Sequence, residues 1–198
     1  MNKPNGYDEA RAIGSYIPPE VGGHYCMIKQ VSETKSKTGK DMIVVLFDFC
    51  TPDQQAGYFE KAFKEDTRDG KKWPFAGTKY IMVNDYKDPS KTSRQFKTFC
   101  FNFEKSNQCE VTWEGADWGK QFKGKKIGVI FGQEESEWDG KTRMRTIPVY
   151  WCEFSKAKEQ NIPEPKYLQP SAPVNPAPTT YDSDFMSIPE GADEEIPF

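Results

Sequence analysis

The chain contains 198 residues and has a formal net charge of −3; hydrophobic residues make up 36% of it and charged residues 29%. The hydrophobic share lies below that of most globular proteins, which predicts one packed domain together with a segment that has no core of its own. No apolar run is long enough to cross a bilayer, and MNKPNGYDEAR lacks the apolar stretch of a signal peptide. The sequence therefore favours a cytoplasmic protein with no membrane partner.

The two strands nearest the start of the body are predicted to form a hairpin. Gly23–Lys35 and Asp41–Cys50 are rich in residues that favour β-strands, and Ser36–Lys40 between them is a turn signal. Phe47 and Phe49 share one face of the second strand with other apolar residues, so we expect both rings in the core.

A long excursion separates this hairpin from the third strand. It contains a short helix near Gln54–Lys64, where Phe59 and Phe63 are spaced i, i+4. Thr78–Asn84 is then predicted to be the third strand.

The clearest helical pattern lies in Ser90–Lys105. Its apolar side chains recur at i, i+3, i+4 and i+7 and form one stripe, made of Phe96, Phe99, Cys100 and Phe103. Ser90 or Thr92 is expected to cap the start of this helix, and Asn107 to close it. The stripe predicts that one side of the helix packs into the core.

Two further strands complete the body. Gly124–Glu135 and Lys141–Trp151 are predicted to form a hairpin around Trp138-Asp139-Gly140, because Asp-Gly is a strong turn signal. Pro148 has no N–H group to donate, so the later half of the last strand is expected at an edge or a bulge.

This order of elements predicts a mainly β fold, a five-stranded OB-fold barrel with a helix between strands 3 and 4, over residues 21–158. Residues 1–20 are expected to be a flexible N-terminal segment. Eight of the 15 prolines lie between Pro163 and Pro197. Residues 159–181 are therefore predicted to be a Pro-rich disordered linker, and residues 182–198 an acidic partner-binding tail.

The charge is distributed unevenly between these parts. Residues 159–198 contain one basic and eight acidic side chains, a net charge of −7. Residues 1–158 contain 26 basic and 22 acidic side chains, a net charge of +4. A basic body joined to an acidic tail predicts that the body faces a polyanion and that the tail reaches a different partner.

The cysteines and the single histidine do not point to a metal, a cofactor or a disulfide framework. The thiols are odd in number and scattered, without a Cys-x-x-Cys pair, at Cys26, Cys50, Cys100, Cys109 and Cys152. His24 is expected to be a structural residue of the first strand. We therefore predict no metal ligands and no cofactor.

The final six residues, DEEIPF, resemble the C-terminal tip of bacterial single-stranded DNA-binding proteins, in which an OB fold and a disordered linker precede an acidic end finishing in Ile-Pro-Phe. The body is similar to a phage-type family of OB-fold single-stranded DNA-binding proteins, in Pro19–Lys40 and in Trp118–Val129 with the hairpin that follows. The resemblance implies cytoplasmic action in a bacterial host cell. It also implies that replication, recombination or repair proteins bind the tip, at Asp193, Glu194, Glu195, Ile196, Pro197 and Phe198.

Binding a single strand without sequence preference needs cations for the phosphates and aromatic faces for the bases. The body offers both, and the candidate DNA-binding residues are Lys35, Lys37, Lys40, Lys71, Lys72, Trp73, Phe75, Tyr80, Trp138, Lys141, Arg143 and Arg145. The last three alternate along the fifth strand, so they project from one face with no acid among them. For Trp73, Tyr80 and Trp138, a structural role is the alternative interpretation.

Two other functions stay open. The barrel could bind protein rather than DNA, as an interaction adaptor. Asp53 and Asp85 formally echo a metal-dependent nuclease, although Asp69-Gly70-Lys71 and Asp139-Gly140-Lys141 fit half of that pattern equally well. No catalytic residue is predicted, because neither a phosphate-binding Gly-rich loop nor a nucleophile site stands out. A homo-oligomer also stays open.

Overall fold

The computed structural model describes residues 2–5, 7, 17–115 and 117–168. The acidic tip and the linker beyond residue 168, which are predictions from sequence, lie outside the described residues. Among the residues described, no helix is both long enough and apolar enough to span a membrane.

The body is mainly β, as predicted. Its five strands are β1 (Gly22–Lys35), β2 (Asp41–Phe49), β3 (Thr78–Met82), β4 (Lys126–Trp138) and β5 (Lys141–Cys152). They form one antiparallel sheet in the order β3-β2-β1-β4-β5. Helix α1 spans Tyr58–Glu65, and α2 spans Arg94–Asn107, which lies between β3 and β4 along the chain.

The sheet is not closed into a complete barrel by main-chain pairing. Among the described residues, no backbone ladder joins the two edge strands, β3 and β5. Instead, the ammonium group of Lys79 on β3 donates hydrogen bonds to the carbonyl oxygens of Pro148, at 2.7 Å, and Val149, at 3.0 Å. Burial, together with a smaller effect of the nearby charge of Lys166, lowers the pKa of Lys79 to about 8. A side chain therefore bridges the seam between β3 and β5.

The irregularity predicted at Pro148 is present. The β4–β5 register passes from Ile130 opposite Tyr150 to Phe131 opposite Pro148, so Val149 is an extra residue in the edge strand. At the other end of this hairpin, Asp139 and Gly140 have φ values of 51° and 67°. These are the left-handed conformations that a tight two-residue hairpin turn requires.

Both ends of helix α2 differ from the predicted caps. Ser93, and neither Ser90 nor Thr92, is the N-cap, and its hydroxyl accepts a hydrogen bond from the backbone N–H of Phe96 at 3.1 Å. An isolated bridge to Asn84 holds Thr92 extended, which leaves Ser93 to start the helix. Gln108, rather than Asn107, ends it in the left-handed conformation, with φ 51°.

The core is largely aromatic and lies between the sheet and α2. The predicted stripe of α2 is buried, and so are Phe47 and Phe49, which confirms both assignments. The fully buried rings belong to Phe47, Phe59, Phe99, Phe103, Phe122 and Phe131. Several of them meet edge to face, for example Phe47 and Trp151 at 5.4 Å between ring centres. Such contacts add to the burial of apolar area in stabilising the body.

His24 is structural, as expected, and lies in a buried polar cluster. Its Nδ1 is 3.0 Å from a carboxylate oxygen of Asp53, and its Nε2 is 3.0 Å from the carbonyl oxygen of Glu20. Both partners can only accept, so both ring nitrogens must donate for these contacts to be hydrogen bonds. The ring also stacks on Phe49, with 4.2 Å between ring centres. The cluster ties residue 20 to the body, although sequence analysis ends the flexible segment there.

Residues 160–168 lie on the sheet, although sequence analysis places the start of the disordered linker at residue 159. Pairing of β1 with β4 stops at Phe131, which leaves one side of the later β4 residues without a strand partner. Lys166 takes that place: its N–H donates to Gln133 at 2.9 Å, and its carbonyl accepts from Glu135 at 2.8 Å. The compact unit therefore extends to Leu168.

Candidate nucleic-acid interface

Three strands share a face that points away from the core. Residues alternate between the two sides of a strand, so the neighbours of the buried Ile43, Val45 and Ile81 point outward. The strand register aligns these neighbours in three cross-strand rows. We call them the outer sheet face: Gln30, Leu46 and Thr78; Ser32, Val44 and Tyr80; Thr34, Met42 and Met82.

The outer sheet face is uncharged and mostly apolar at its centre. Tyr80 occupies the middle row and is 41% exposed, which makes it the most accessible aromatic ring on this face. Val44 is its partner in the register, and Met42 and Met82 form the adjoining pair; all three are half-buried. A flat, partly exposed surface of this kind suits the faces of nucleic-acid bases, because stacking needs contact area rather than charge.

Cations and an aromatic ring flank one end of this face. Ser36–Lys40, the turn between β1 and β2, follows the row that contains Thr34 and Met42. The ammonium group of Lys40 lies 3.7 Å from the centre of the Tyr86 ring, within the range of a cation–π contact. Lys35 pairs with Asp41 at 2.7 Å, which offsets part of its charge, and Lys37 is exposed in the turn.

A second cationic and aromatic group lies near the opposite end. The short helix Phe75–Gly77 leads directly into Thr78, the first residue of β3. Phe75 is 63% exposed, and the guanidinium carbon of Arg145 lies 5.8 Å from its ring centre. This contact brings the edge strand β5 beside the segment that precedes β3, a proximity that the sequence does not reveal.

Lys71 and Lys72 are exposed in the loop before this helix, and the Trp73 that follows them is held by the core. The indole N–H of Trp73 donates to the carbonyl of Phe47 at 3.1 Å, and its ring packs on Phe63, 5.5 Å away. Because these contacts fix the indole against the body, we do not include Trp73 in the outer sheet face. Lys71 extends over the Phe63 ring, at 4.8 Å.

The β4–β5 hairpin carries the remaining candidates. Trp138 is 63% exposed at its tip and stands opposite Lys141. Arg143 and Arg145 are exposed along β5, but Glu134 is the register partner of Arg145 and lies on the same side of the hairpin. The sequence of β5 has no acid among its cations, yet the neighbouring strand supplies one. This part of the site is therefore less positive than the sequence alone suggests.

Sequence analysis did not single out several residues that the structure brings to this face. Met42, Val44 and Leu46 belong to a strand that reads as one apolar run, which predicts burial on both sides. The sequence signal that could have identified these three residues is their alternation with Ile43 and Val45. Alternate residues of a strand point to opposite sides of the sheet, so one of the two sets has to point outward. Tyr86 was missed because a loop residue in the third connection gives no sign that it meets Lys40.

Asp53 and Asp85, the residues of the nuclease alternative, both have local hydrogen-bond partners. Asp53 accepts from the backbone N–H groups of Tyr25 and Gln55 as well as from His24. Asp85 accepts from the backbone N–H groups of Lys87 and Asp88. Within residues 17–115 and 117–168, no three His, Cys, Asp or Glu side chains are grouped so that they could hold a metal ion.

Comparison with known proteins assigns the chain to no family. No protein-family model matches the chain. No curated protein matches it at a significant level. What is shown is a mainly β body with an uncharged sheet face between two groups of cations and aromatic rings.

Proposed function

We propose that this protein binds single-stranded DNA without sequence preference, as a non-enzymatic, phage-encoded protein that acts in the cytoplasm of a bacterial host. The observation that carries the proposal is the outer sheet face, with Tyr80 at its centre, Lys40 on Tyr86 at one end and Arg145 on Phe75 near the other. This pattern combines the two requirements of sequence-independent strand binding, stacking surfaces and cations that follow the backbone.

The elements that carry these residues support the same proposal. In OB folds, oligonucleotides bind the face of strands 2 and 3 together with the loops between strands 1 and 2 and between strands 4 and 5. Here β2 and β3 supply the apolar part of the outer sheet face, and Ser36–Lys40 and the β4–β5 hairpin supply cations. The body would thus coat and protect the strand.

The tail would recruit partner proteins in replication, recombination or repair. This part of the proposal rests on the resemblance of DEEIPF to the bacterial tip and on the charge division between body and tail. A partner pocket beside an Arg or Lys can accept the Phe198 ring and pair with the terminal carboxylate. The acids at 193–195 add attraction to a basic rim around such a pocket.

A salt titration with a four-residue charge reversal tests the binding role of the body. We expect the full chain to bind oligo-dT with an affinity that falls as salt rises, because phosphate contacts release counterions. Replacing Lys71, Lys72, Arg143 and Arg145 by Glu should weaken binding strongly and flatten the salt dependence, by roughly 0.7 in the log–log slope for each lost phosphate contact. Fluorescence anisotropy at several salt concentrations measures both quantities.

The matched control reverses four exposed lysines on helices and turns outside the interface: Lys61, Lys105, Lys123 and Lys156. It should change the affinity much less, although the net charge changes equally. Unchanged oligo-dT binding in the first variant, or an equal loss in both variants, would contradict the proposed interface. No binding by the unaltered chain at low salt would favour the protein-interaction adaptor.

A further inference from the structure

A second candidate site lies on the other side of the sheet. A cleft of about 510 Å³ opens between α2, the ends of β1 and β2, and the segment before the short helix Trp118–Phe122. Glu33 and Ile43 line it, and these residues alternate with Thr34 and Met42 of the outer sheet face. The cleft therefore faces away from the proposed DNA surface, and its volume is in the range of ligand pockets.

One wall of this cleft, which we call the aromatic cleft, is a stack of rings. Trp113 lies 5.8 Å from Trp118 with 21° between the ring planes, and Phe96 lies 6.2 Å from Trp113. Trp113 is nevertheless 62% exposed, so much of its indole remains available for contact. A large exposed tryptophan beside a cleft is typical of a binding surface, because it offers a rigid apolar face at small entropic cost.

Hydrogen bonds hold the segment that carries Trp113 in place. Gln121 bonds both the N–H and the carbonyl of Thr112, at 2.8 and 2.9 Å. Glu104 on α2 accepts from the N–H of Val111 at 3.1 Å. The wall is therefore preformed, and a ligand would not have to order it.

The Trp118 ring forms a buried part of this wall. Its side chain lines the cleft and the residue is only 8% exposed. The indole nitrogen is itself buried, and within the described residues it has no acceptor, as is also true of Trp151 in the core. Trp118 therefore offers a ligand an apolar ring surface rather than a hydrogen-bond donor.

The charged residues of the cleft favour a cationic ligand over a phosphate. Glu33 and Glu104 line it together with a single cation, Lys97. Within the described part of the chain, Glu33 has no ion pair. A free carboxylate next to an exposed indole face attracts a Lys or Arg side chain through both its charge and the ring quadrupole. Burial raises the pKa of Cys100 in the same cleft to about 12, so its thiol stays protonated and is no nucleophile.

We propose that the aromatic cleft docks a peptide segment of a protein partner in which an arginine or lysine stands beside a large apolar side chain. The apolar side chain packs against Phe96 and Trp118, and the cation lies between Glu33 and the Trp113 ring. Such a partner would bind while DNA occupies the outer sheet face.

Nuclear magnetic resonance of the ¹⁵N-labelled full chain tests this assignment with defined probes. We expect acetyl-Arg-Leu-Arg-amide to shift the indole N–H resonances of Trp113 and Trp118 in a saturable way. Acetyl-Glu-Leu-Glu-amide should leave both unchanged, since the cleft carries an excess of carboxylates.

Three variants complete the test. Trp113→Ala and Glu33→Lys should each weaken binding of the basic peptide at least tenfold, whereas Phe101→Ala should not. Phe101 is a matched control because it is also an exposed aromatic, 49% accessible, on helix α2. Both cleft residues are exposed, so the fold should persist, which the remaining resonances will show.

Three results would overturn the proposal: no shift with the basic peptide, equal shifts with both peptides, or shifts that survive Trp113→Ala. A fourth is that oligo-dT moves the same two indole resonances and Trp113→Ala weakens its binding, which would make the cleft a nucleic-acid site. Retained oligo-dT affinity in the Trp113→Ala chain separates failure here from failure of the proposed DNA-binding function.

Discussion

Tyr80 is the side chain on which the proposed DNA-binding surface depends most. It projects from the central row of the outer sheet face, is 41% exposed, and has an uncharged cross-strand partner in Val44. An aromatic ring that could gain stability from burial but instead faces solvent among apolar neighbours is typical of a surface that another molecule covers. The sequence showed the ring, but only the register shows that Met42, Val44 and Met82 surround it.

Tyr80→Ala tests the stacking role. We expect oligo-dT affinity to fall on the order of 10- to 100-fold, because losing one aromatic–base stack costs about 1–3 kcal/mol. Tyr80→Phe keeps the ring and should bind almost as the unaltered chain does. Anisotropy titrations measure both, and equal affinities for the Ala and Phe variants would exclude base stacking at this position.

Asp53 links the stability of the fold to pH. Burial by itself raises the pKa of Asp53, but the hydrogen bond from His24, the N–H of Gln55 and the charges of His24 and Lys158 outweigh it and lower the pKa to about 2. The folded pKa lies below the unfolded value of about 3.9, so the stabilisation is complete above pH 4 and is lost as the pH falls through 2. Its size is about 2.5 kcal/mol for a shift of this extent.

The corresponding variant is Asp53→Asn. It should be less stable than the unaltered chain at pH 7 by about 2 kcal/mol, because the amide has one acceptor oxygen where the carboxylate has two, so at least one of the groups bonded to Asp53 loses its partner. The variant also has no carboxyl group at this position, so it should not show the fall in stability that protonation of Asp53 causes between pH 4 and pH 2. Urea unfolding at pH 7, 4 and 3 measures both effects, and parallel stability curves for the two proteins would contradict the assignment.

At the level of elements, local patterns predicted what local chemistry decides. All five strands and α2 follow from strand-forming runs, the Asp139-Gly140 turn and the apolar stripe of the helix. The cap of α2 could not be read correctly, because the choice between Ser90, Thr92 and Ser93 depends on the bridge from Thr92 to Asn84. The Lys79 contact joins residues about seventy positions apart, and no periodicity in the sequence reports it.

The segment 160–168 was misread for a similar reason. Its prolines and lack of periodicity are typical of a linker, whereas its order comes from an unpaired edge of β4 that the sequence does not show. Lys166 pairs with Gln133 and Glu135, and Pro163 lies against Gly132, where a Cβ atom would be 2.8 Å from its ring. Composition alone therefore placed the start of the disordered linker too early along the chain.

Two truncations test the structural role of this segment. A chain that ends at Leu168 should unfold like the full chain, whereas a chain that ends at Gln160 should be less stable by about 2 kcal/mol, since two backbone hydrogen bonds and their packing are lost. Thermal or urea unfolding measures the difference. Hydrogen exchange should quicken at the Glu135 amide in the shorter chain only, and equal exchange in both would contradict the pairing.

For the whole molecule, the division between a basic body and an acidic tail is a property of the sequence that the fold does not alter. The net charges of +4 and −7 are fixed by composition. The grouping of residues that forms the proposed binding surface was only partly predictable, since the sequence pointed to Phe75, Tyr80 and Lys40 individually, while their grouping depends on strand order. The aromatic cleft was not predictable, because its lining comes from β1, β2 and α2 together with Trp113, Gly115 and Trp118.

Deleting Asp193–Phe198 tests the division of labour. We expect the shortened chain to bind oligo-dT as tightly as the full chain or more tightly, because a competing acidic segment is gone. It should no longer retain host replication, recombination or repair proteins in a pull-down. A Phe198→Ala chain is the matched control for charge, and it should lose the partners while leaving DNA affinity unchanged. Unfolding of the body after the deletion would show that the tip is structural instead.

The contact that Lys79 makes between the edge strands β3 and β5 makes the stability of the fold depend on pH, in the pH range of common laboratory buffers. Its folded pKa of about 8 lies below that of a free lysine, about 10.4, so the unfolded chain holds this proton more tightly than the native one. This one amine therefore makes the native state steadily more favourable as the pH rises from about 8 to about 10.4, where the unfolded chain loses the same proton. Assays at about pH 7 and about pH 9 would therefore sample mainly the protonated and mainly the neutral form of Lys79.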